Sequence, residues 1–260
     1  MQRVRPVRFQ TSRIIGALIL REAAGRFGRS RGGYVWAFAE PVGGILLLSV
    51  AFGYLLRSPP VGDSFLLFYA SGVVPLLFFN ALSSSLSQAV AANKGLLAYP
   101  VVSVLDVILA RTLLELVTYV TVFGVIVGVI VPVDGLDLQP DMLLIFFGLG
   151  LACLFGAAVG MANCILFLFF PVWRSVWRII TRPLLIVSGV MFVYHDMPPE
   201  LQDWLWYNPL LQIVGIVRAG LYESYDAAYV SVTYIVTTCL ALLAAGALYI
   251  SLNESRLIQQ

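Results

Sequence analysis

Long apolar runs restrict how this chain can fold more than any other feature. Most of them reach the roughly 20 residues that an α-helix needs to cross a bilayer core of about 30 Å. Only 12% of the residues are charged, against about 25% in soluble domains. We therefore predict an all-α integral membrane protein. Its six transmembrane helices are expected at 35–56, 65–88, 104–131, 142–170, 179–194 and 229–252, of which the fifth is the shortest.

The distribution of positive charge predicts the orientation. Half of the 16 lysine and arginine residues precede the first span, and only Arg57 and Arg218 fall in segments assigned to the outer side. Because lysine and arginine concentrate on the cytoplasmic side of membrane proteins, both termini are expected in the cytoplasm. The first dozen residues are basic and polar, so no cleavable signal peptide is expected and the first span is retained.

No catalytic or cofactor chemistry is visible in the sequence. The phosphate-binding pattern G-x-x-x-x-G-K-[ST] is absent, since the only lysine, Lys94, follows Asn93 and precedes Gly95. The three cysteines lie inside predicted spans, and His195 has only Asp196 beside it. We expect no enzyme active site, metal or cofactor. If ATP drives transport, a second polypeptide has to bind the nucleotide.

Two cytoplasmic segments are candidates to receive that polypeptide. Apolar residues recur every four positions between Ser12 and Phe27, which predicts an amphipathic interface helix and turn over 12–33; the alternative is a solvated basic tail. The cytoplasmic loop 89–103 is unusually apolar for a solvated connection. Gly32 and Gly33 are expected to form a hinge into the first span. The residues expected to dock an ATPase are Arg21, Arg26, Phe27, Asn93, Lys94, Leu96, Leu97 and Tyr99.

Polar and small residues mark two of the spans, and a charged pair marks a third. Gly148, Ala152, Gly156 and Gly160 predict that another helix approaches the fourth span closely. Arg111 and Glu115, four residues apart, are expected to pair at the cytoplasmic end of the third span. One face of the second span is polar, with Asn80, Ser83, Ser84, Ser87 and Gln88.

Three stretches together resemble a known family. They are "LREAAGRFGRSRGGYVWAFAEP", "ANKGLLAYPVVSVLDVILARTLLE" and "YNPLLQIVGIVR". In this order they are similar to the permease subunit of type-2 ABC exporters that move capsular polysaccharide across the bacterial inner membrane, and the similarity runs over essentially the whole chain. The chain departs from that pattern at Gln212 and Gly215, where relatives carry a histidine and an acid before Arg218.

The resemblance implies an architecture and a set of partners. The subunit is expected to form a homodimer, to pair with two copies of a separate ATPase, and to contain a re-entrant helical hairpin within 195–228. Membrane lipids, a polysaccharide or glycolipid substrate and periplasmic export partners are the other expected contacts, and nucleic acid is not. The break at Asn208 and Pro209 agrees with a hairpin, because the stretch is too broken to span the membrane and too apolar for a free loop.

The resemblance also gives the polar residues candidate roles in a substrate path. The polar face of the second span is either a site of interhelical hydrogen bonds or a wall that a glycan passes. Arg174, Arg178 and Arg182 are either orientation anchors or a receptor for the phosphate or carboxylates of an anionic glycolipid. Aromatic residues in the outer stretch are either interfacial anchors or stacking surfaces for sugar rings; they are Trp204, Trp206 and Tyr207.

Other functions remain open on the sequence. An O-antigen or teichoic-acid exporter has the same fold and differs only in cargo. An ion-coupled secondary transporter is expected to carry buried acids in mid-span and internal repeats, and the sequence shows neither. A membrane scaffold that transports nothing has no need of a polar face in the second span.

Overall fold

The structure is a computed structural model that describes residues 10–27, 33–97 and 102–259. Every regular element within these ranges is helical. A short 3-10 helix occupies Tyr194–Asp196. The α-helices are α1 (Gln10–Phe27), α2 (Gly33–Leu55), α3 (Phe65–Ser87), α4 (Ala89–Ala92), α5 (Lys94–Leu97), α6 (Val104–Val133), α7 (Met142–Phe169), α8 (Trp173–Thr181), α9 (Leu184–Val187), α10 (Pro199–Leu205), α11 (Pro209–Leu221) and α12 (Val232–Gln259).

Five helices of the described ranges are long and apolar enough to cross a membrane, namely α2, α3, α6, α7 and α12. The ends of α3, α6 and α7 are set by side chains that accept hydrogen bonds from the first turn. Ser64 caps α3, Asp141 caps α7, and Ser103 forms a capping box with Asp106 at the start of α6. These caps explain why the three helices begin directly after Ser64, Ser103 and Asp141.

The core of the fold is the packing of α3 against α7. In α3, 72% of the most apolar stretch is buried, compared with 17% in α2 and in α12. The close approach that the glycine pattern predicts is confirmed. A Cβ atom on Gly160 would lie 2.8 Å from Leu86 Cβ and 3.0 Å from Ser83 Cα, so only glycine fits there. Gly156 likewise faces Leu82 of α3.

The fifth predicted span is wrong as a continuous helix over 179–194. The chain there forms the end of α8, the single turn of α9 and a non-helical stretch that leads to the 3-10 helix. Pro183 has no backbone N–H to donate to the carbonyl four residues earlier, so the hydrogen-bond ladder of α8 ends at Thr181 although Arg182 keeps helical backbone angles. Gly189 has a φ of 71°, which only glycine adopts readily, and it prevents α9 from continuing.

Between the 3-10 helix and α12, α10 and α11 form a compact segment, which the sequence predicts to lie on the outer side and which we call the outer segment. Asn208 caps α11 by accepting a hydrogen bond from the N–H of Leu210, and Pro209 occupies the first helical position. The helix α11 packs along α7, with Val217 against Gly148 and the Gly220 carbonyl accepting from the Asp141 N–H at 2.8 Å. Nearly all of α11 is buried, although it is too short to span a bilayer alone.

Candidate functional site

A cavity of about 790 Å³ opens between α1, α2, α3, α6 and α8. A second, smaller cavity of about 70 Å³ lies near Asp63 and Tyr222. Six residues that the sequence predicts for a substrate path line the large cavity, namely Asn80, Ser83, Ser84, Gln88, Arg178 and Arg182. Its lining also includes charged and aromatic residues that the sequence did not indicate, namely Glu22, Glu40, Tyr119 and Trp177.

The polar face of α3 is divided between the cavity and the protein interior. Asn80, Ser84 and Gln88 are exposed or half-buried and follow one another at four-residue intervals. Ser83 and Ser87 are buried, and their hydroxyl groups donate to the carbonyl oxygens of Asn80 and Ser84 at 3.3 and 2.8 Å. Ser87 is not part of the cavity lining. Ser83 also borders the cavity, but its side chain is buried, so the accessible polar wall is the narrower stripe of Asn80, Ser84 and Gln88.

The arginines of the fifth segment are also divided. Arg178 and Arg182 line the cavity, and the side chain of Arg178 donates to the Ser175 hydroxyl at 3.2 Å. Arg174 is not in the lining, and its guanidinium lies 5.6 Å from the ring centroid of Phe167. At that distance the contact is a cation–π interaction. Two of the three predicted arginines thus face the cavity.

Arg111 ties three helices together at the cavity wall. Its Nε and Nη2 groups donate to Glu22 Oε1 of α1 at 3.0 and 2.8 Å. Its Nη1 group donates at 2.6 Å to the carbonyl of Ser85, in the last turn of α3, where helix carbonyls lack intrahelical donors. The sequence predicted Glu115 as the partner of Arg111. Glu115 is buried and lines the same cavity, but the partner that the hydrogen bonds identify is Glu22.

The helix α1 is joined to the predicted cytoplasmic loop at the predicted docking surface. Arg21 donates a hydrogen bond to Asn93 Oδ1, and Asn93 Nδ2 donates to the Ala89 carbonyl at 2.9 Å. Asn93 is only 2% exposed, so its side chain organises the loop rather than facing outward. Arg21 is exposed and Leu96 is half-buried. Outside the described part of the chain lie Gly32, Tyr99 and the side chains of Arg26, Phe27, Lys94 and Leu97.

The three predicted aromatic residues of the outer segment lie away from the cavity and differ in exposure. Trp204 and Tyr207 are exposed. Trp206 instead stacks on Tyr234, with ring centroids 5.1 Å apart, and donates to the Tyr229 carbonyl at 2.8 Å. Trp206 therefore fixes the outer segment to the start of α12, while the other two rings remain accessible.

A second arginine, Arg218 of α11, is almost completely buried. Its guanidinium donates to the carbonyl oxygens of Phe192 and Val190 at 2.9 and 3.1 Å and to the Ser71 hydroxyl at 3.2 Å. The ring of Phe68 lies 4.1 Å from the guanidinium carbon. No carboxylate is among these partners. Sequence patterns did not reveal this arrangement, because the carbonyl groups belong to a stretch expected to be helical.

The sequence departures before Arg218 have structural explanations. Gln212 is buried, and its amide bridges the Trp206 carbonyl and the Ser231 N–H at 2.7 and 2.8 Å. At Gly215, a Cβ atom would lie 2.2 Å from the Tyr229 hydroxyl oxygen, so the tyrosine fills the space that a side chain would need. Tyr229 in turn stacks on Tyr194 at 4.1 Å.

Comparison with known proteins agrees with these features. The chain is 32% identical over 245 residues to the polysialic acid transport protein KpsM of Escherichia coli, which covers 94% of this chain and 95% of that protein. It is 28% identical to the capsule polysaccharide export inner-membrane protein CtrC of Neisseria meningitidis serogroup B, over 92% of this chain and 90% of that one. It is 26% identical to the capsule polysaccharide export inner-membrane protein BexB of Haemophilus influenzae, over 90% and 88%. The ABC-2 type transporter model matches residues 13–222, and the chain therefore belongs to the ABC-2 type transporter family.

Proposed function

We propose that the chain is the permease subunit of an ATP-driven exporter that moves a capsular, lipid-linked polysaccharide from the cytoplasm across the inner membrane. The observation that carries the proposal is the large polar cavity, which opens among helices that are otherwise apolar. Hydroxyl, amide and guanidinium groups line it, and these are the groups that bind sugar hydroxyls and phosphate. The relatives named above, which are described as polysialic acid and capsule polysaccharide transporters, support this cargo.

The proposed topology has six crossings with both termini in the cytoplasm. The five long apolar helices supply five crossings, and the sixth combines α8, α9 and the non-helical stretch before Tyr194. Two sets of contacts support this assignment of the sixth crossing. The arginines of α8 border the same cavity as Glu22 of α1, whereas Val190 and Phe192 contact Arg218 of the outer segment. In this topology α1 lies along the cytoplasmic surface, and α10 and α11 form the re-entrant hairpin.

The proposed assembly is a homodimer with two copies of an ATPase subunit. The ATPase docks on α1 and the loop around α5, where Arg21 is exposed and Leu96 half-buried. Because Arg111 joins α1 to α3 and α6, displacement of α1 would be transmitted directly to the cavity wall. Gly32 and Gly33 would then allow α2 to tilt relative to α1. Periplasmic export partners receive the polymer at the outer side, close to Trp204 and Tyr207.

The cargo path follows the cavity wall of α3 and α8. In the proposed mechanism Asn80, Ser84 and Gln88 exchange hydrogen bonds with successive sugar hydroxyls. Arg178 and Arg182 hold the phosphate or carboxylates of the anionic end, since a planar guanidinium binds either group through two parallel bonds. Glu22 and Arg111 neutralise one another at this wall. Glu40 and Glu115 also line the cavity, so the positive charge is local to the side formed by α8, where Arg178 and Arg182 lie.

The test is export in a bacterium that lacks its own capsule permease. Cells that receive this chain and its ATPase are expected to display surface glycan, and cells without the chain to accumulate it internally. Ser84→Leu and Gln88→Leu are expected to lower surface glycan while the protein still inserts and binds the ATPase. Thr121→Leu is the matched control, because Thr121 is an exposed hydroxyl residue on α6 outside the cavity.

Two results separate the parts of this proposal. If the wild-type chain restores no surface glycan, the function itself is wrong. If it does and the Ser84 and Gln88 variants export as well as Thr121→Leu, the cargo passes elsewhere. Replacing Arg178 and Arg182 together by lysine retains the positive charge and removes the planar guanidinium groups. Full export by that variant would contradict specific recognition of the anionic end.

A further inference from the structure

The helix α8 carries the cavity arginines but is weakly held by the rest of the protein. None of its nine residues is buried. Pro171 and Pro183 lie on either side of it, and neither neighbouring segment continues its hydrogen-bond ladder. The position of Arg178 and Arg182 therefore depends on a small number of side-chain contacts, one of which is the packing of the half-buried Trp177 against the core.

One hydrogen bond fixes the start of α8. The Trp173 Nε1–H group donates to Asn163 Oδ1 of α7 at 2.9 Å. The two residues are ten positions apart, so the chain reverses direction between the helices and lays the first residue of α8 beside the last turns of α7. The next residue, Arg174, contacts Phe167 of α7 through its guanidinium.

Asn163 is an unusual residue for its place. It is 2% exposed within the apolar helix α7, where an unpaired amide is costly. Its Nδ2 group is buried and has no hydrogen-bond partner in the described part of the chain. Only the Oδ1 atom is used, and its partner is Trp173. Stability alone does not explain an asparagine at this position, because a leucine of similar size would bury no unpaired N–H.

We propose that Asn163 is a positioning residue, which holds α8 through Trp173 so that Arg178 and Arg182 face the cavity. In this way it sets how tightly the cavity holds the anionic end of the cargo. The inference rests on the proposed function of the cavity. Adjacent residues of a helix point about 100° apart. The neighbour of Arg178 is Ile179, which is 66% exposed, so rotation of a released α8 by one position would exchange a cation for an apolar side chain.

The experiment compares two variants that remove the bond and keep a large apolar side chain. Trp173→Phe keeps an aromatic ring and loses the N–H donor, and Asn163→Leu loses the acceptor together with the unpaired amide. Trp36→Phe is the matched control, since Trp36 is 72% exposed on α2. A nitroxide attached at Ile180→Cys, an exposed residue of α8 outside the cavity lining, reports on the mobility of α8. The native thiols Cys153, Cys164 and Cys239 are all buried and label slowly.

The full-length chain is studied in lipid nanodiscs, first without any ligand. Trp173→Phe and Asn163→Leu are each expected to increase the nitroxide mobility, and the double variant is expected to match the single variants, because both break the same bond. Asn163→Leu is expected to leave thermal stability unchanged or higher. Unchanged mobility in both variants would overturn the inference, and so would additive effects in the double variant.

The cavity is then titrated with dihexanoyl phosphatidylglycerol as a soluble anionic probe. The probe concentration that half-immobilises the nitroxide is expected to rise about 2- to 10-fold in Trp173→Phe and Asn163→Leu, the range for one neutral hydrogen bond. It is expected to stay unchanged in Trp36→Phe. Equal affinity for the probe in all variants would contradict the proposed role of the hydrogen bond between Trp173 and Asn163. If the wild-type chain does not respond to the probe but the ligand-free spectra change as expected, the Trp173–Asn163 bond does hold α8. In that case the proposed binding of an anionic group by Arg178 and Arg182 is wrong.

Discussion

Two buried arginines, Arg111 and Arg218, bond residues near the two ends of α3, and their positive charges are stabilised by different kinds of partner. Arg111 has a carboxylate partner, Glu22, and also bonds one carbonyl at the end of α3. Arg218 bonds two carbonyls, one hydroxyl and the face of an aromatic ring, and no carboxylate. A buried cation is costly without partners, and in both arginines each of the three guanidinium nitrogens donates a hydrogen bond. The partners differ because the two arginines hold different kinds of structure.

The difference shows what each arginine does for its surroundings. Arg111 connects three regular helices whose own backbone hydrogen bonds are largely complete, so its main partner is a side chain. Arg218 serves a non-helical stretch, in which the carbonyls of Val190 and Phe192 lack the donors that a helix would supply. In the proposed topology these carbonyls lie at membrane depth, where irregular backbone persists only if protein groups satisfy it. The five donors of a guanidinium suit that task.

The largest effect is expected for Arg218→Met. The variant removes the donors and leaves two buried carbonyls without partners, at a cost of about 1–3 kcal/mol each. We expect thermal unfolding of the purified chain at a much lower temperature, or failure to accumulate in the membrane. Ser71→Ala, which removes a single partner of Arg218, serves as the graded control and is expected to cost about 1 kcal/mol. A fully stable Arg218→Met would show that the stretch needs no donor.

The arrangement around Arg218 could be predicted only in part from the sequence. Periodicity identified α3 and α7 and the polar face that contains Asn80, Ser84 and Gln88, because the spacing along one helix determines which residues share a face. It does not determine which other segment covers that face. The partners of Arg111 and Arg218 lie 89 and 147 residues away in Glu22 and Ser71, beyond any local pattern.

The broken fifth segment shows the same limit. The sequence shows Pro183, but the apolar residues around it favoured the prediction of a membrane span. A non-helical stretch is possible there because Arg218, on another element, donates hydrogen bonds to its carbonyls. Gly215 is similar. Its lack of a side chain reads as a lost acid in the sequence, whereas in the fold it makes room for the hydroxyl of Tyr229. At both Pro183 and Gly215, contacts with distant parts of the chain determine the local structure, so a local sequence pattern cannot predict it.

A smaller effect is expected when the Arg111–Glu22 pair is broken. The two side chains retain 10% and 21% exposure, so water partly compensates for a lost partner, and we expect a loss of about 1–3 kcal/mol. Arg111→Met and Glu22→Leu are compared with the double variant in thermal unfolding. The double variant is expected to be more stable than the sum of the single losses implies, since it leaves no unpaired charge. Strict additivity would mean that the pair contributes no coupling energy.

The smallest effect is expected at a third arginine, Arg21, which extends the comparison to an exposed site. Its side chain is 47% exposed, and exposed polar pairs contribute only about 0–1 kcal/mol. Arg21→Ala should therefore leave thermal unfolding nearly unchanged, although the side chain bonds Asn93 and approaches Glu22 at 3.5 Å. Asn93→Leu is the matched test of the buried end of the same bond. It should cost more, because the Asn93 amide also bonds the Ala89 carbonyl and lies in the interior. If Arg21→Ala destabilised the chain as much as Arg111→Met does, burial would not be what ranks the three arginines, and the contact between α1 and the loop would have to be rigid in its own right.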